Sequence, residues 1–203
     1  MRTFLSLTLL SVIGVSGVLP VDLPMVDPEL NTLLRVSQRN GVRDSDRRWP
    51  NAIVYYKYWK GFGNDQKTLI KGAMKSVEDV SCVRFLEAGV DQPYFVNITS
   101  IDVGCNGTIG FQKGITSLNL PGAVSSYCCT LGKILHELYH VLGFHNMNQN
   151  YNRNDYVRII YENITPGREH LFTKFSKDLV NDFGLEYDYG SIMHSPANMF
   201  RGL

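Results

Sequence analysis

This chain of 203 residues has no charge excess, no internal repeat and no low-complexity tract. Its 20 basic and 19 acidic side chains leave a net charge of +1. Neither a nucleic acid nor an anionic membrane surface is therefore an expected partner. Long apolar runs are scarce too. The one from Phe4 to Val15 is short for a bilayer, is interrupted by Ser and Thr, and is followed by Pro20, so no membrane anchor is expected. Cysteine is sparse. Four residues, Cys82, Cys105, Cys128 and Cys129, allow three pairings and no dense disulfide framework.

What is present begins with an export pattern. Arg2, the apolar run and the small residues Val15-Ser16-Gly17 read as a secretory signal over residues 1–17. Residues 18–39 are polar and read as a short leader. The remainder, 40–203, is long enough for one globular domain with a real core. Secretion also makes the sequons at Asn97, Asn106 and Asn163 usable for glycosylation, the last weakened by Pro166.

Periodicity gives an α+β outline. Ile53–Tyr58, Val83–Glu87, Tyr94–Thr99 and Ser117–Leu120 read as strands, the last at a sheet edge. Asp65–Val80 reads as an amphipathic helix with a stripe of Leu69, Ala73, Val77 and Val80, widened by Ile70 and Met74. Asn146–Asn154 reads as a loop and Asp178–Phe183 as a helical turn. The expected fold is a small, mostly antiparallel or mixed sheet with two helices, followed by an irregular C-terminal half.

The second helix carries the chemistry. His136-Glu137-Leu138-Tyr139-His140 is followed by Gly143, with apolar Leu131, Ile134, Leu135, Leu138, Val141 and Leu142 around it. On a helix, i and i+4 share a face, so His136 and His140 can hold one Zn2+. Glu137 stands beside them as the candidate general base.

These residues, with Asn40-Gly41-Val42-Arg43-Asp44, Arg48-Trp49-Pro50, Leu138 to Val157 and Tyr187-Asp188-Tyr189-Gly190-Ser191-Ile192-Met193-His194, resemble the astacin-type zinc metalloendopeptidases, a metzincin family. The resemblance implies the metzincin fold, one zinc ion, protein or peptide substrates, and Met193 in a methionine turn beneath the metal. It also implies a disulfide between Cys105 and Cys128 and a processing point between Arg39 and Asn40. The third zinc histidine of the family falls ten residues after the first, where this chain has Asn146. His145 comes one residue early. Asn154-Asp155-Tyr156-Val157 keeps the downstream register.

Two further departures accompany it. Met147 stands where the family has the glutamate that receives the new N-terminal ammonium. Ser195 stands where it has a tyrosine that stabilises charge on the reacting carbonyl. Cys82 matches a cysteine whose family partner lies beyond the methionine turn, Cys129 is additional, and a Cys82–Cys129 bridge stays open. The domain is expected to be short at its C-terminus relative to the family. The reading is a secreted zinc metalloendopeptidase of weakened or absent activity, with Asn146 a poor third ligand. The alternative is a non-catalytic secreted protein on the same scaffold that binds peptides or protease inhibitors.

Overall fold

The computed structural model describes residues 40–200 apart from Lys60, Asp102 and Ser125. The signal and leader segments therefore lie outside the described residues. Among the described residues, seven strands and two α-helices follow in the order β1 Gly41–Val42, β2 Ile53–Tyr58, α1 Asn64–Asp79, β3 Arg84–Glu87, β4 Phe95–Thr99, β5 Asn106–Gly107, β6 Ile115–Asn119, α2 Leu131–Val141 and β7 Val180–Asn181.

The main sheet has the order β3-β2-β4-β6-β5. The α+β class and the mixed sheet are as expected, but the pairing is mostly parallel. β2 runs parallel to β3 and β4, and β4 parallel to β6; only β5 is antiparallel, to β6. The reason is the crossover. α1 carries the chain back along the sheet, so β3 enters in the direction of β2. β6 is not an edge strand, because β5 pairs with its last residues, Leu118 and Asn119. On β3, which is an edge, the Glu78 carboxylate accepts the outward N–H of Phe85 at 2.8 Å, blunting that edge against further pairing.

Alternation decides which face is buried. Val54 and Tyr56 on β2, Val96 and Ile98 on β4, and Thr116 and Leu118 on β6 are buried. The helices cover that face with Ile70, Ala73, Met74 and Val77 from α1 and Ile134, Leu135, Leu138 and Val141 from α2. Removing a fully buried leucine from such a core costs about 2–5 kcal/mol. Val80 is 57% exposed and leaves the expected stripe, because α1 ends at Asp79.

Two devices hold the ends of α2. Thr130 caps the start, its side chain accepting from the Lys133 N–H. Gly143, at φ +104°, ends it in a left-handed turn. There its N–H reaches the His140 carbonyl at 2.8 Å, and the Phe144 N–H reaches Tyr139 at 2.9 Å. A Cβ at Gly143 would also lie 2.9 Å from Val42 Cγ2. The buried Trp49 indole donates to the Val141 carbonyl at 2.8 Å, satisfying one of the last helix carbonyls.

The segment expected as a helical turn is β7. Val180 and Asn181 pair with Val42 and Gly41, and flanking bonds run from Asn40 N–H to Asn181 and from Arg43 N–H to Leu179. Long-range pairing overrides local propensity here. The loop after α2 contains short 3-10 turns at Met147–Gln149 and Arg153–Asp155.

Cys105 and Cys128 are joined. Cys82 and Cys129 are both free, the first exposed and the second buried, so the bridge left open between them is not formed. Alkylation of the native protein under non-reducing conditions is expected to label Cys82 rapidly and Cys129 only after unfolding. Peptide mapping should recover Cys105 linked to Cys128; rapid labelling of Cys129 in native protein would contradict the packing described.

Candidate active site

One turn of α2 separates His136 from His140. Their rings meet edge to face, 4.7 Å between centroids. His136 Nδ1 lies 2.8 Å from the Ile192 carbonyl oxygen, and His140 Nδ1 lies 2.7 Å from that of Phe144. A carbonyl only accepts, so each Nδ1 carries the hydrogen and each Nε2 keeps a lone pair. Burial lowers the proton affinity of both rings. His140 is pushed down to about 3, first by burial and then by His136; His136 is lowered, mainly by burial. Both imidazoles are thus neutral at neutral pH and hold the tautomer that a metal ligand needs.

Glu137 is 6% exposed. Burial raises its carboxyl to about 7, against the opposing pull of the Gly107 N–H bond and the Lys133 charge. A group at that value takes and returns a proton near neutral pH. Gly107 has to be glycine, because a Cβ there would stand 2.5 Å from the Glu137 carbonyl oxygen and 3.3 Å from His140 Cβ. Sequence reasoning did not single out Gly107 for the site. Its only signal was membership of the Asn106 sequon.

The turn at Ser191–His194, expected as the methionine turn, lies against the helix. Ser191 Oγ accepts the Met193 N–H at 3.2 Å, and Met193 is 2% exposed. The Met193 carbonyl takes the Met147 N–H at 2.8 Å, which pins the chain just after position 146. His194 belongs to this turn but faces elsewhere. Its Nδ1 lies 2.9 Å from the Ser195 carbonyl oxygen, and its ring packs near Tyr187 and Tyr189.

The region where the resemblance puts a third ligand is neutral and packed. The His145 ring rests on Phe175 at 4.2 Å. Its Nδ1 is buried without a partner, and burial, then Arg47, holds the ring down to about 4. The Asn146 carbonyl oxygen accepts from Asn40 Nδ2 at 2.6 Å. Among the described residues, no group of three or more His, Cys, Asp or Glu side chains comes together to hold a metal ion. Met147 and Asn40 are fully buried. Ser195 Oγ donates to Asn148 Oδ1 at 3.3 Å. A cavity of about 850 Å³ opens beside Ser195, His194 and Asn148 and runs over Val157, Ile164 and Phe172. None of His136, Glu137 and His140 lines it, so it lies apart from the chemistry. Of the sequon residues, Asn97 lies on β4, Asn106 on β5 and Asn163 in a 3-10 turn.

Gly107→Ala is expected to push β5 off α2 and to lose stability by about 1–3 kcal/mol, the usual cost of overpacking. The measurement is the urea midpoint of metal-free protein; an unchanged midpoint would sink the close approach of β5 to Glu137.

Comparison with known proteins agrees with this geometry. The model of the astacin family of peptidases matches residues 41–202. Human Tolloid-like protein 1 is 36% identical over 162 residues, which is 78% of this chain and 15% of that protein. Zinc metalloproteinase nas-7 of Caenorhabditis elegans is 30% identical over 168 residues, 83% of this chain and 43% of its own length. The chain thus spans less than half the length of these curated relatives. Among solved structures, high choriolytic enzyme 1, a hatching enzyme zinc-protease from Oryzias latipes (medaka fish), superposes with a TM-score of 0.68 at 29% identity, over 76% of this chain and 74% of that one. A match running from β1 past the methionine turn, over this arrangement of strands, helix and histidines, makes the chain a member of the astacin family of peptidases.

Proposed function

We propose that this protein is a secreted, zinc-dependent metalloendopeptidase of the astacin type that binds zinc weakly and cleaves peptides slowly or not at all. Residues 1–17 serve as the signal, 18–39 as the leader and 40–203 as the peptidase domain. The extracellular location is supported by the signal pattern and by the Cys105–Cys128 disulfide. No helix among the described residues is long and apolar enough to cross a membrane.

The reading rests on one observation. His136 and His140 meet with both Nε2 atoms available, whereas position 146 offers an amide and His145 lies on Phe175. Two imidazoles fit zinc. The third donor does not, since a neutral amide is a poor zinc ligand beside imidazole. Zinc, when bound, supplies Lewis acidity toward the scissile carbonyl and toward water. The chain's own contribution is the Glu137 carboxylate, buried and positioned by Gly107 to take a proton. Ser195 adds no phenol to stabilise developing charge; its short hydroxyl is occupied with Asn148.

Cleavage after Arg39 does not organise this site as it does in the family. Asn40 is wholly buried and is held by neutral partners, the carbonyls of Asn181 and Asn146 and the His145 N–H. Met147, fully buried, offers no charge to an ammonium, and an unpaired buried charge is costly.

The test is zinc affinity by competition with a fluorescent chelator, alongside peptide turnover at saturating zinc. Asn146→His is expected to tighten zinc by at least the roughly 10–100-fold that a ligand's own hydrogen-bond partner is worth. Any turnover it restores should vanish in Glu137→Gln. Unchanged zinc affinity in Asn146→His would show that another group already fills the third position and would overturn the reading.

A further inference from the structure

The face of the main sheet opposite the helices carries an unusual row. In a strand, residues two apart share a face, so Phe95 and Asn97 point outward from β4 while Val96 and Ile98 are buried. Phe95 pairs with Ile115 on β6. Tyr56 pairs with Val96, which sets Tyr55 beside Phe95, and Tyr55 pairs with Leu86 on β3. Leu86, Tyr55, Phe95 and Ile115 therefore form one apolar row across four adjacent strands. Ile115 is 64% and Leu86 45% exposed. Neither helix covers this face, and a contiguous apolar strip on a solvated sheet calls for a cover. The outer face of the Phe95 ring receives the Lys57 ammonium, 4.4 Å from its centre.

Asn97 stands in the next row, between Lys57 and Ser117, and it is the acceptor of the sequon Asn97-Ile98-Thr99. We propose that Asn97 carries an N-linked glycan whose first N-acetylglucosamine lies back over the Phe95 ring, within the apolar row. Two residues of strand span about 6.6 Å, roughly the reach from an Asn Cα through its side chain to the centre of an attached pyranose. The sugar's C–H face then meets the ring face, the geometry in which aromatic side chains receive apolar or positively polarised groups. The sugar takes the place of Lys57 on that ring.

The transfer step is ordinary for an exported chain and occurs before folding. The Asn97 amide nitrogen forms a bond to C1 of an oligosaccharide donated by a polyprenyl diphosphate. The C1–oxygen bond breaks, the diphosphate leaves, and the amide loses one proton. Folding then engages the Thr99 hydroxyl with Asn119 Oδ1 at 3.0 Å while the glycosylated side chain remains on the open face.

The other two sequons lack this cradle. Two residues before Asn106 stands Gly104, with no ring. Two residues before Asn163 stands Tyr161, but both lie in a 3-10 turn, where residues two apart face different directions. The proposal thus distinguishes a structural glycan at Asn97 from sugars that only project into solvent. It rests on the secretion reading above, and the test separates the two.

Protein secreted from eukaryotic cells is mapped by glycopeptide mass spectrometry, and its melting temperature is measured before and after trimming to the single first sugar. Asn97 should be occupied. Trimming should leave the melting temperature unchanged, and Asn97→Gln should lower it by about 2–4 °C, the shift that one lost contact gives a domain of this size. Phe95→Leu should cost more in the wild-type background than in Asn97→Gln. If Asn97→Gln does not accumulate, fully deglycosylated wild type, which leaves aspartate at 97, is compared with the trimmed form. A bare Asn97 beside a glycosylated Asn106 overturns the proposal, as does an Asn97→Gln protein that melts with the wild type. Protein retaining residues 1–17 and bare at all three sites overturns the secretion reading with it; protein that has lost 1–17 and is bare at Asn97 overturns this proposal alone.

Discussion

The left-handed turn at Gly143 is the constraint on which the site depends. At φ +104° it stops α2 at Val141, one residue past His140, and turns the Phe144 carbonyl back to that ring at 2.7 Å. It also frees its own carbonyl for the Val42 N–H at 2.8 Å, so the N-terminal strand is drawn beneath the helix end. β1 brings β7 with it. Val42 lies against the space where a side chain at 143 would be. An L-residue there would be strained in its backbone and would clash with Val42. The loss would pass through His140 to both halves of the molecule.

The residues beyond this turn separate what the fold supports from what it leaves to position 146. The two imidazoles are oriented through backbone carbonyls, from Phe144 and from Ile192 in the methionine turn, so their geometry is independent of position 146. Gly107 reaches Glu137 from the opposite side, on a strand anchored through Cys105 to Cys128. These supports belong to packing and survive the change at 146. The third donor has no such redundancy. His145 is committed to Phe175, the chain at 146–147 is tied by Asn40 and Met193, and a shift of one residue would break both ties. The same neutrality extends to Met147 and to Asn40, whose hydrogen bonds run to uncharged groups of Asn181, Asn146 and His145.

Much of the fold was legible in the sequence. Both helices, the strands on β2, β3, β4 and β6, and the meeting of His136 and His140 on one turn of α2 can be read from residue spacing. Strand direction was not legible, because alternation reports which face is buried and says nothing of whether a neighbour runs parallel. β7 was misread because its two residues are strand only through Gly41 and Val42, far away in the chain. Gly107 and the carbonyls of Phe144 and Ile192 act through backbone atoms or through a missing side chain, which no motif spells out. The packing of His145 on Phe175 is likewise a tertiary contact without a local pattern.

The proposed site offers zinc two imidazoles, from His136 and His140, and no third. X-ray absorption at the zinc edge of the zinc-loaded protein measures that number directly. The account predicts scattering from two imidazole groups with oxygen donors completing the shell. Three imidazole groups would contradict it.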